Sequence, residues 1–207
     1  MTIAHPHGPI VILGASYAAG WHPSAAGLTF INRGVAGQQS FQLLERFEPD
    51  VVAAAPRAVI IWGFINDIFR APPAGVGPSV ARAKASFTEM VRVAKARGIE
   101  PILTTEITIR GPNTWAEMFG SWAGWMLGKR PYQDGINAAV RETNVWLRDT
   151  ARREGMLILE FERVLAHENG ERRRQFAAED GSHISRAGYG ALEAYAVPVL
   201  VGHFERR

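Results

Sequence analysis

Four polar residues of this sequence have the types and spacing needed for nucleophilic catalysis. Ser16 follows an apolar run near the start of the chain, Asn66 follows a later one, and Asp180 stands three residues before His183. A carboxylate at that spacing can accept the imidazole Nδ1–H, which leaves Nε2 to take a proton from a serine hydroxyl. A single Asp-x-x-His motif is common in loops, so the indication comes from the combination.

The segment Gly14-Ala15-Ser16-Tyr17 predicts a tight turn that leads into a helix. The glycine permits the turn, and the first backbone N–H groups of a helix have no partner within it. A serine at that place can attack a carbonyl carbon while its own amide supports the oxyanion. Taken alone, the simpler interpretation is a serine that caps the helix.

Two further segments expose hydrogen-bond donors. Gly34 and Gly37 precede a predicted helix, and their exposed backbone N–H groups could cradle a phosphate, but the P-loop lysine and the full dinucleotide fingerprint are missing, so an ordinary turn is the alternative. Asn66 follows the third predicted strand and can direct its side-chain amide into a cleft. For the segment that contains Asn66, the alternative is an ordinary turn in which Asp67 caps the next helix.

Short β-branched runs alternate with longer amphipathic ones along the chain. The predicted strands cover residues 9–13, 28–32, 58–62, 101–105 and 156–159. Helices are predicted over residues 40–47, 79–97 and 132–154, and a last one follows Ser185 until Pro198 disturbs it. This alternation predicts one α/β domain over residues 1–207, a three-layer α/β/α sandwich with a flavodoxin-like parallel sheet of about five strands. Ligands of such sheets bind outside the carboxyl ends of the strands, which is where the polar motifs lie.

One irregular segment, at about residues 106–131, interrupts the alternation. Its aromatic residues fall three or four positions apart, at Trp115, Phe119, Trp122 and Trp125. Such spacing is typical of a buried helix face, and it also suits a cap that lines an acyl or alcohol pocket. We expect these side chains, with Tyr17, to contact the substrate, and core packing is the alternative.

Composition and charge narrow the classes of function. The chain has 207 residues, no cysteine and a net charge of +3, so disulfides, thiolate catalysis and cysteine-bound metals are excluded. The basic cluster of Glu171 to Arg174 has no interleaved aromatic residue, so we expect an exposed face and no nucleic-acid partner. The histidines are scattered without metal-ligand spacing, and no metal or cofactor is expected.

The same sequence features bear on membranes and location. No apolar run approaches about 18 residues, so no integral membrane segment is expected. The first residues have no cationic segment followed by an apolar one, which favours the cytoplasm, with a mature periplasmic or secreted form as the alternative.

The four motifs, in their order along the chain, resemble the blocks of the SGNH hydrolase family, also called the GDSL lipases and esterases. The matching positions are Ser16, Gly37, Asn66 and His183, and the resemblance runs from the first strand to the last helix. It implies that Ser16 is the nucleophile, His183 the base and Asp180 the group that orients the imidazole. It also implies an oxyanion hole formed by the Ser16 and Gly37 amides and the Asn66 side chain, with Gly34 shaping the turn.

Two positions depart from the family pattern. The family has aspartate between the glycine and the serine of its first block, where this chain has Ala15. Its third block separates glycine from asparagine by one residue, whereas Phe64 and Ile65 both stand between Gly63 and Asn66.

The resemblance predicts a serine esterase that cleaves carboxylic esters of short to medium acyl chains. A sugar acetate, a lysophospholipid, an aryl ester and a thioester remain alternative substrates, and the oligomeric state is open. An α/β-hydrolase is disfavoured because Ser16 follows the first strand and Asp180 neighbours His183, unlike the order in that class. A flavodoxin-like binding module is the non-enzymatic alternative, and it leaves Asn66 and the Asp180–His183 pair without a role.

Overall fold

Five parallel strands form the central sheet. The structure is a computed structural model that describes residues 7–109 and 132–206. The strands are β1 (Ile10–Gly14), β2 (Phe30–Gly34), β3 (Ala58–Trp62), β4 (Glu100–Thr104) and β5 (Ile158–Leu159). Their order is β2-β1-β3-β4-β5, the flavodoxin-like order, so the predicted fold class is confirmed. All five lie within two residues of the predicted positions.

The strand register brings three chain segments to one edge of the sheet. Gly14, the last residue of β1, pairs with Gly34 at the end of β2 and with Trp62 at the end of β3. β1 and β3 are buried at every position because all their side chains are apolar or absent. The residues that follow these three strands therefore emerge side by side at the carboxyl edge.

Helices connect the strands and cover the sheet. They are α1 (Ser16–Ala19), α2 (Ser40–Glu45), α3 (Phe47–Asp50), α4 (Ile65–Phe69), α5 (Val76–Ala96), α6 (Tyr132–Glu154), α7 (Phe161–Leu165) and α8 (Arg186–Glu205). The helix predicted over residues 132–154 is confirmed with those bounds. The helix predicted over residues 40–47 is divided in two at Arg46, whose φ of −101° and ψ of 11° leave the helical region.

The last helix corrects the expectation for Pro198. Ser185 caps it as predicted, since its hydroxyl accepts a hydrogen bond from the Gly188 amide at 3.1 Å. Pro198, however, lies inside an uninterrupted helix that continues to Glu205. Proline removes one helical hydrogen bond, but Leu200 and Phe204 beyond it are buried, and this packing retains the helix.

A cluster of aromatic rings fills the core beneath the carboxyl edge. Trp62 packs edge-on against Trp21 and Phe161, with ring centres 6.0 and 4.7 Å apart. Tyr17 contacts the same indole at 5.8 Å. Such edge-to-face contacts stabilise large rings beyond their burial alone, so the residue after Ser16 rests on a rigid base.

The beginning of the segment predicted as a cap is part of the interior. Glu106, Ile107 and Thr108 are fully buried directly after β4. Trp115, Phe119, Trp122 and Trp125 lie outside the described residues, so their predicted roles stay predictions. Across residues 7–109 and 132–206, no helix is long and apolar enough to cross a membrane.

Candidate active site

Ser16 is the first residue of α1, directly beyond the end of β1. Ala15 occupies the capping position, so the alternative of Ser16 as a helix cap does not apply. Its side chain is partly exposed at the carboxyl edge of the sheet. A side chain on Gly14 would place its Cβ 2.0 Å from the Trp62 carbonyl oxygen, so only glycine permits this close crossing of strand and turn.

Asn32 stands two residues before Gly34, in the second of the four motifs, and fixes the end of α1. Its Nδ2 donates to the carbonyl oxygens of Ala18 and Trp21, both at 2.8 Å. Gly34 lies so close to this helix that a Cβ would come within 2.2 Å of the Ala19 amide nitrogen. The second motif therefore contains one side chain and one glycine that hold the helix of Ser16 against the sheet.

Asp180 and His183 form a hydrogen-bonded pair. The His183 Nδ1 bonds to Asp180 Oδ2, and Asp180 Oδ1 accepts from the Ser182 and His183 amides at 2.9 Å each. Burial acts to raise the pKa of Asp180, but the hydrogen bonds from the His183 ring and these amides outweigh it and lower that pKa. The carboxylate therefore stays ionised, and the Nε2 of His183 is left for a second partner.

Tyr17 connects α1 to residues 178–184, the histidine loop. Its hydroxyl donates to the Ser182 carbonyl oxygen at 2.5 Å, and its ring meets the His183 ring edge-on with centres 6.4 Å apart. Within the described residues the Ser16 hydroxyl makes no hydrogen bond. The structure thus joins Asp180 to His183 directly, and it bonds Tyr17, the residue after Ser16, to the backbone next to His183. Catalytic hydrogen bonds often tighten only when a substrate is bound.

Asn66, in the first turn of α4, contacts the two residues that follow Gly37. Gly37 has a φ of +78°, a left-handed conformation that favours glycine. Asn66 Nδ2 donates to the Gln38 carbonyl oxygen at 2.9 Å, and Gln39 Nε2 donates back to the Asn66 carbonyl oxygen at 3.2 Å. An amide carries two protons on Nδ2, so one remains for an external acceptor.

The two departures from the family pattern occupy one tightly packed place. Ala15 is buried, and its amide donates to the Trp62 carbonyl oxygen at 3.2 Å. Gly63, with a φ of +151°, would place a Cβ 3.3 Å from the Ala15 Cβ. The additional residue before Asn66 is accommodated because Phe64 turns into the core and Ile65 begins α4.

Glu106 is a buried carboxylate that the sequence analysis placed only within a possible cap. Its Oε1 accepts from Trp62 Nε1 and the Ile107 amide, both at 3.2 Å, and its Oε2 accepts from the Phe64 and Ile65 amides at 3.0 and 3.4 Å. Burial raises the pKa of Glu106, and the backbone hydrogen bonds oppose that effect. This carboxylate therefore holds the loop that leads to Asn66.

Arg172 contradicts the expectation of an exposed basic cluster. Its neighbour Arg174 is exposed, but Arg172 itself is only 3% exposed. Its guanidinium donates to the Ser182 and His183 carbonyl oxygens at 2.9 and 2.8 Å and to the Tyr17 hydroxyl at 2.8 Å. The prediction was wrong because these partners lie far away in sequence and only the fold brings them together.

Glu106 and Arg172 differ in how far the sequence could have revealed them. Glu106 follows a buried strand directly, which is the same rule that identified Ser16 and Asn66. Arg172 stands in a run of three arginines, and nothing in the sequence distinguishes it from its neighbours.

Within residues 7–109 and 132–206, no group of three or more histidine, aspartate or glutamate side chains could hold a metal ion.

The parallel sheet, with its order β2-β1-β3-β4-β5 and the helices that cover it, defines a protein of the three-layer α/β/α class. Residues 12–191 match the model of the GDSL-like lipase/acylhydrolase family, so the chain belongs to that family and the resemblance seen in the sequence is confirmed. Membership supports hydrolysis of ester bonds as its general activity.

Solved structures of the same fold come from several bacteria. A GDSL-like lipase from Bacteroides thetaiotaomicron is 21% identical with a TM-score of 0.70, and the alignment covers 100% of this chain and 92% of that one. A lipase/acylhydrolase from Enterococcus faecalis is 19% identical with a TM-score of 0.66, covering 95% and 96%. A catalytic mutant of an acetylxylan esterase from Geobacillus stearothermophilus is 18% identical with a TM-score of 0.63, covering 96% and 95%. No curated protein matches the sequence.

Proposed function

We propose that the chain is a serine esterase that cleaves carboxylic esters of short to medium acyl chains through a covalent acyl-enzyme on Ser16. The observation that carries the proposal is the Asp180–His183 pair, whose loop is bonded to the residue after Ser16. An oriented imidazole beside a serine at a helix start is the arrangement that activates a hydroxyl for attack on a carbonyl.

The reaction proceeds in two halves. His183 Nε2 takes the proton of the Ser16 hydroxyl while Oγ bonds to the ester carbonyl carbon, and the carbonyl oxygen becomes an oxyanion. The carbon–oxygen bond to the alcohol then breaks, and His183 gives its proton to the leaving alcohol. Water attacks the acyl-enzyme, loses a proton to His183 and releases the carboxylic acid, and that proton returns to Ser16.

The oxyanion would be bound by the Ser16 and Gly37 amides and by the Asn66 side chain. The left-handed Gly37 and the hydrogen bonds between residues 38, 39 and 66 support this role, since they hold the donors before substrate arrives. Loss of one such donor in a serine protease costs about 10²–10³ in rate. Asp180 would keep the imidazole in the tautomer that leaves Nε2 free to accept a proton.

The substrate is the least constrained part of the proposal. One structural neighbour is an acetylxylan esterase, so acetylated carbohydrate is a candidate, although the likeness is one of fold. Tyr17 was expected to contact substrate, but its hydroxyl is bonded inside the protein, which favours a supporting role. The aromatic residues Trp115, Phe119, Trp122 and Trp125 remain proposed pocket residues.

A substrate series tests the proposal. We expect turnover of p-nitrophenyl acetate and butyrate, with kcat/KM falling towards the palmitate ester, and acetylated xylo-oligosaccharides should be assayed beside them. A fluorophosphonate probe should label Ser16, as located by peptide mass mapping. A folded protein that is inert on every ester and unlabelled at Ser16 would instead be a binding module.

A further inference from the structure

The guanidinium of Arg172 is buried against the histidine loop, and residues 7–109 and 132–206 offer it no carboxylate partner. Among the described residues, its hydrogen bonds go to three backbone carbonyls and one phenol oxygen: those of Thr108, Ser182 and His183, and that of Tyr17. No salt bridge to Arg172 occurs in that part of the chain. These four bonds occupy four of the five N–H donors, and a buried charge is costly unless it is hydrogen-bonded, so this set of acceptors is a built site for one guanidinium.

We propose that Arg172 is a positioning residue for the base His183, a role that rests on the proposed esterase function. Nη1 donates to the carbonyl oxygens of Ser182 and His183. These carbonyls belong to the two peptide groups on either side of the His183 Cα. Fixing both peptide planes fixes the backbone dihedrals of His183 and hence the direction in which its imidazole leaves the chain.

The backbone of Arg172 is anchored well enough to serve as a reference point. It forms an antiparallel bridge with Ala166, and the next residue donates from its amide to the Leu165 carbonyl oxygen at 2.9 Å. Leu165, the last residue of α7, is fully buried. Nε adds a bond of 2.7 Å to the Thr108 carbonyl oxygen, so the guanidinium is held from a second segment of the interior.

The same guanidinium also reaches the nucleophile's helix. Nη2 donates to the Tyr17 hydroxyl at 2.8 Å, and that hydroxyl donates to the Ser182 carbonyl oxygen, which Nη1 also contacts. Arg172, Tyr17 and Ser182 therefore close a triangle that sets the distance between α1 and the histidine loop. Tyr189 braces it from α8, since its hydroxyl donates to the Tyr17 carbonyl oxygen at 3.2 Å.

A lysine in place of Arg172 cannot make the same set of contacts. The bonds leave from three different nitrogens of a planar fork, whereas an ammonium carries all its donors on one nitrogen. Arg172→Lys therefore keeps the charge but loses the simultaneous contacts to Thr108, Tyr17 and the loop carbonyls.

Steady-state kinetics on p-nitrophenyl acetate test the proposal with Arg172→Lys, Arg172→Met and the exposed control Arg174→Met. Displacing a catalytic group by about 1 Å can lower the rate about 10²-fold. We expect kcat to fall about tenfold in Arg172→Lys and about 10²-fold in Arg172→Met, with KM changed less than about threefold. The control should match the wild type. Wild-type kcat in a folded Arg172→Lys would overturn the proposal, as would a loss confined to KM.

Hydrogen exchange of the backbone amides provides a readout that does not depend on turnover. We expect residues 178–184 to exchange faster in Arg172→Lys than in the wild type, while α5 is unchanged. Unchanged exchange in this loop would overturn the proposal even if Arg172→Met fails to fold. If the wild type hydrolyses no ester, the proposed function fails, and the exchange result still decides whether Arg172 holds the loop.

Discussion

Ser40 donates two hydrogen bonds to the carboxylate of Asp67. Its amide bonds to Oδ2 and its hydroxyl to Oδ1, both at 2.8 Å, and both residues are fully buried. The first residue of α2 is thereby tied to α4, which begins beside Asn66. Burial raises the pKa of Asp67, and the two bonds from Ser40 act against this. This pair fixes the spacing between α2, which follows the turn at Gly37, and α4, which contains Asn66.

Removing the Asp67 carboxylate should loosen the contact between α2 and α4. Asp67→Ala leaves a buried amide and hydroxyl without an acceptor, so we expect the free energy of unfolding to fall by about 2–3 kcal/mol. Asp67→Asn can still pair with Ser40 and should lose less than about 1 kcal/mol. Denaturant unfolding measures both. Equal stability of the alanine and asparagine variants would contradict this assignment.

Gly37→Ala tests the left-handed turn beside Asn66. A side chain there has to adopt a φ of +78°, and its Cβ would lie 2.8 Å from Arg70 Nη2. Gly27→Ala is a matched control, since Gly27 has a φ of +76° with no atom near its Cβ position. The backbone strain costs about 1–2 kcal/mol in each. We expect only Gly37→Ala to lose kcat, and an equal loss in the control would remove Gly37 from the oxyanion hole.

Glu106→Gln should destabilise the loop before Asn66. Each carboxylate oxygen accepts two N–H groups, so the amide of glutamine would face two donors with a donor of its own. We expect unfolding free energy to fall by about 2–4 kcal/mol. Near-ultraviolet circular dichroism should change as well, because Trp62 loses its partner. The exposed Glu171→Gln is the control and should leave both readouts unchanged.

The pH dependence of stability gives Glu106 a second signature. Its pKa is raised by folding, so the folded state binds more protons than the unfolded state above the ordinary glutamate value of about 4.3. The contribution of Glu106 to stability therefore decreases as pH rises from that value towards the raised one. When thermal unfolding is measured from pH 4 upwards, the stability of Glu106→Gln should decrease less with pH than that of the wild type. Equal decreases with pH in the two proteins would contradict the raised pKa.

Asp180 should behave in the opposite way. Folding lowers the pKa of Asp180. Its contribution to stability is therefore present above the ordinary aspartate pKa of about 3.9 and is lost as pH falls towards the lowered pKa of the folded state. The stability difference between wild type and Asp180→Asn should therefore shrink below about pH 4.

At neutral pH, the kcat of Asp180→Asn should fall about 10²–10⁴-fold below that of the wild type, since the imidazole loses the partner that sets its tautomer. Wild-type kcat in Asp180→Asn would contradict the triad.

The sequence revealed the parts of this protein that depend on local patterns. Apolar runs predict the strands because β1 and β3 are buried on both faces and admit no polar side chain. Ser16, Asn66 and His183 were proposed as site residues because they follow strands or precede the last helix, at the edge where parallel sheets bind their ligands.

Contacts between distant segments could not be predicted. Arg172 bonds to Tyr17 across 155 positions, and Glu106 bonds to Phe64 across 42. No local spacing encodes such pairs, so an arginine in a basic run looked exposed. The expectation that Pro198 disturbs the last helix was wrong for a related reason. The tertiary packing that retains this helix cannot be seen in the local sequence pattern.

The most direct test of the account is the hydrolysis of p-nitrophenyl acetate by wild type, Ser16→Ala and Ser24→Ala. Ser24 is exposed and lies outside the site, so its variant controls for the loss of a hydroxyl. The account predicts that Ser16→Ala loses about 10³-fold or more in kcat while it folds normally, and that Ser24→Ala matches the wild type. Wild-type turnover by Ser16→Ala would contradict the assignment of Ser16 as nucleophile.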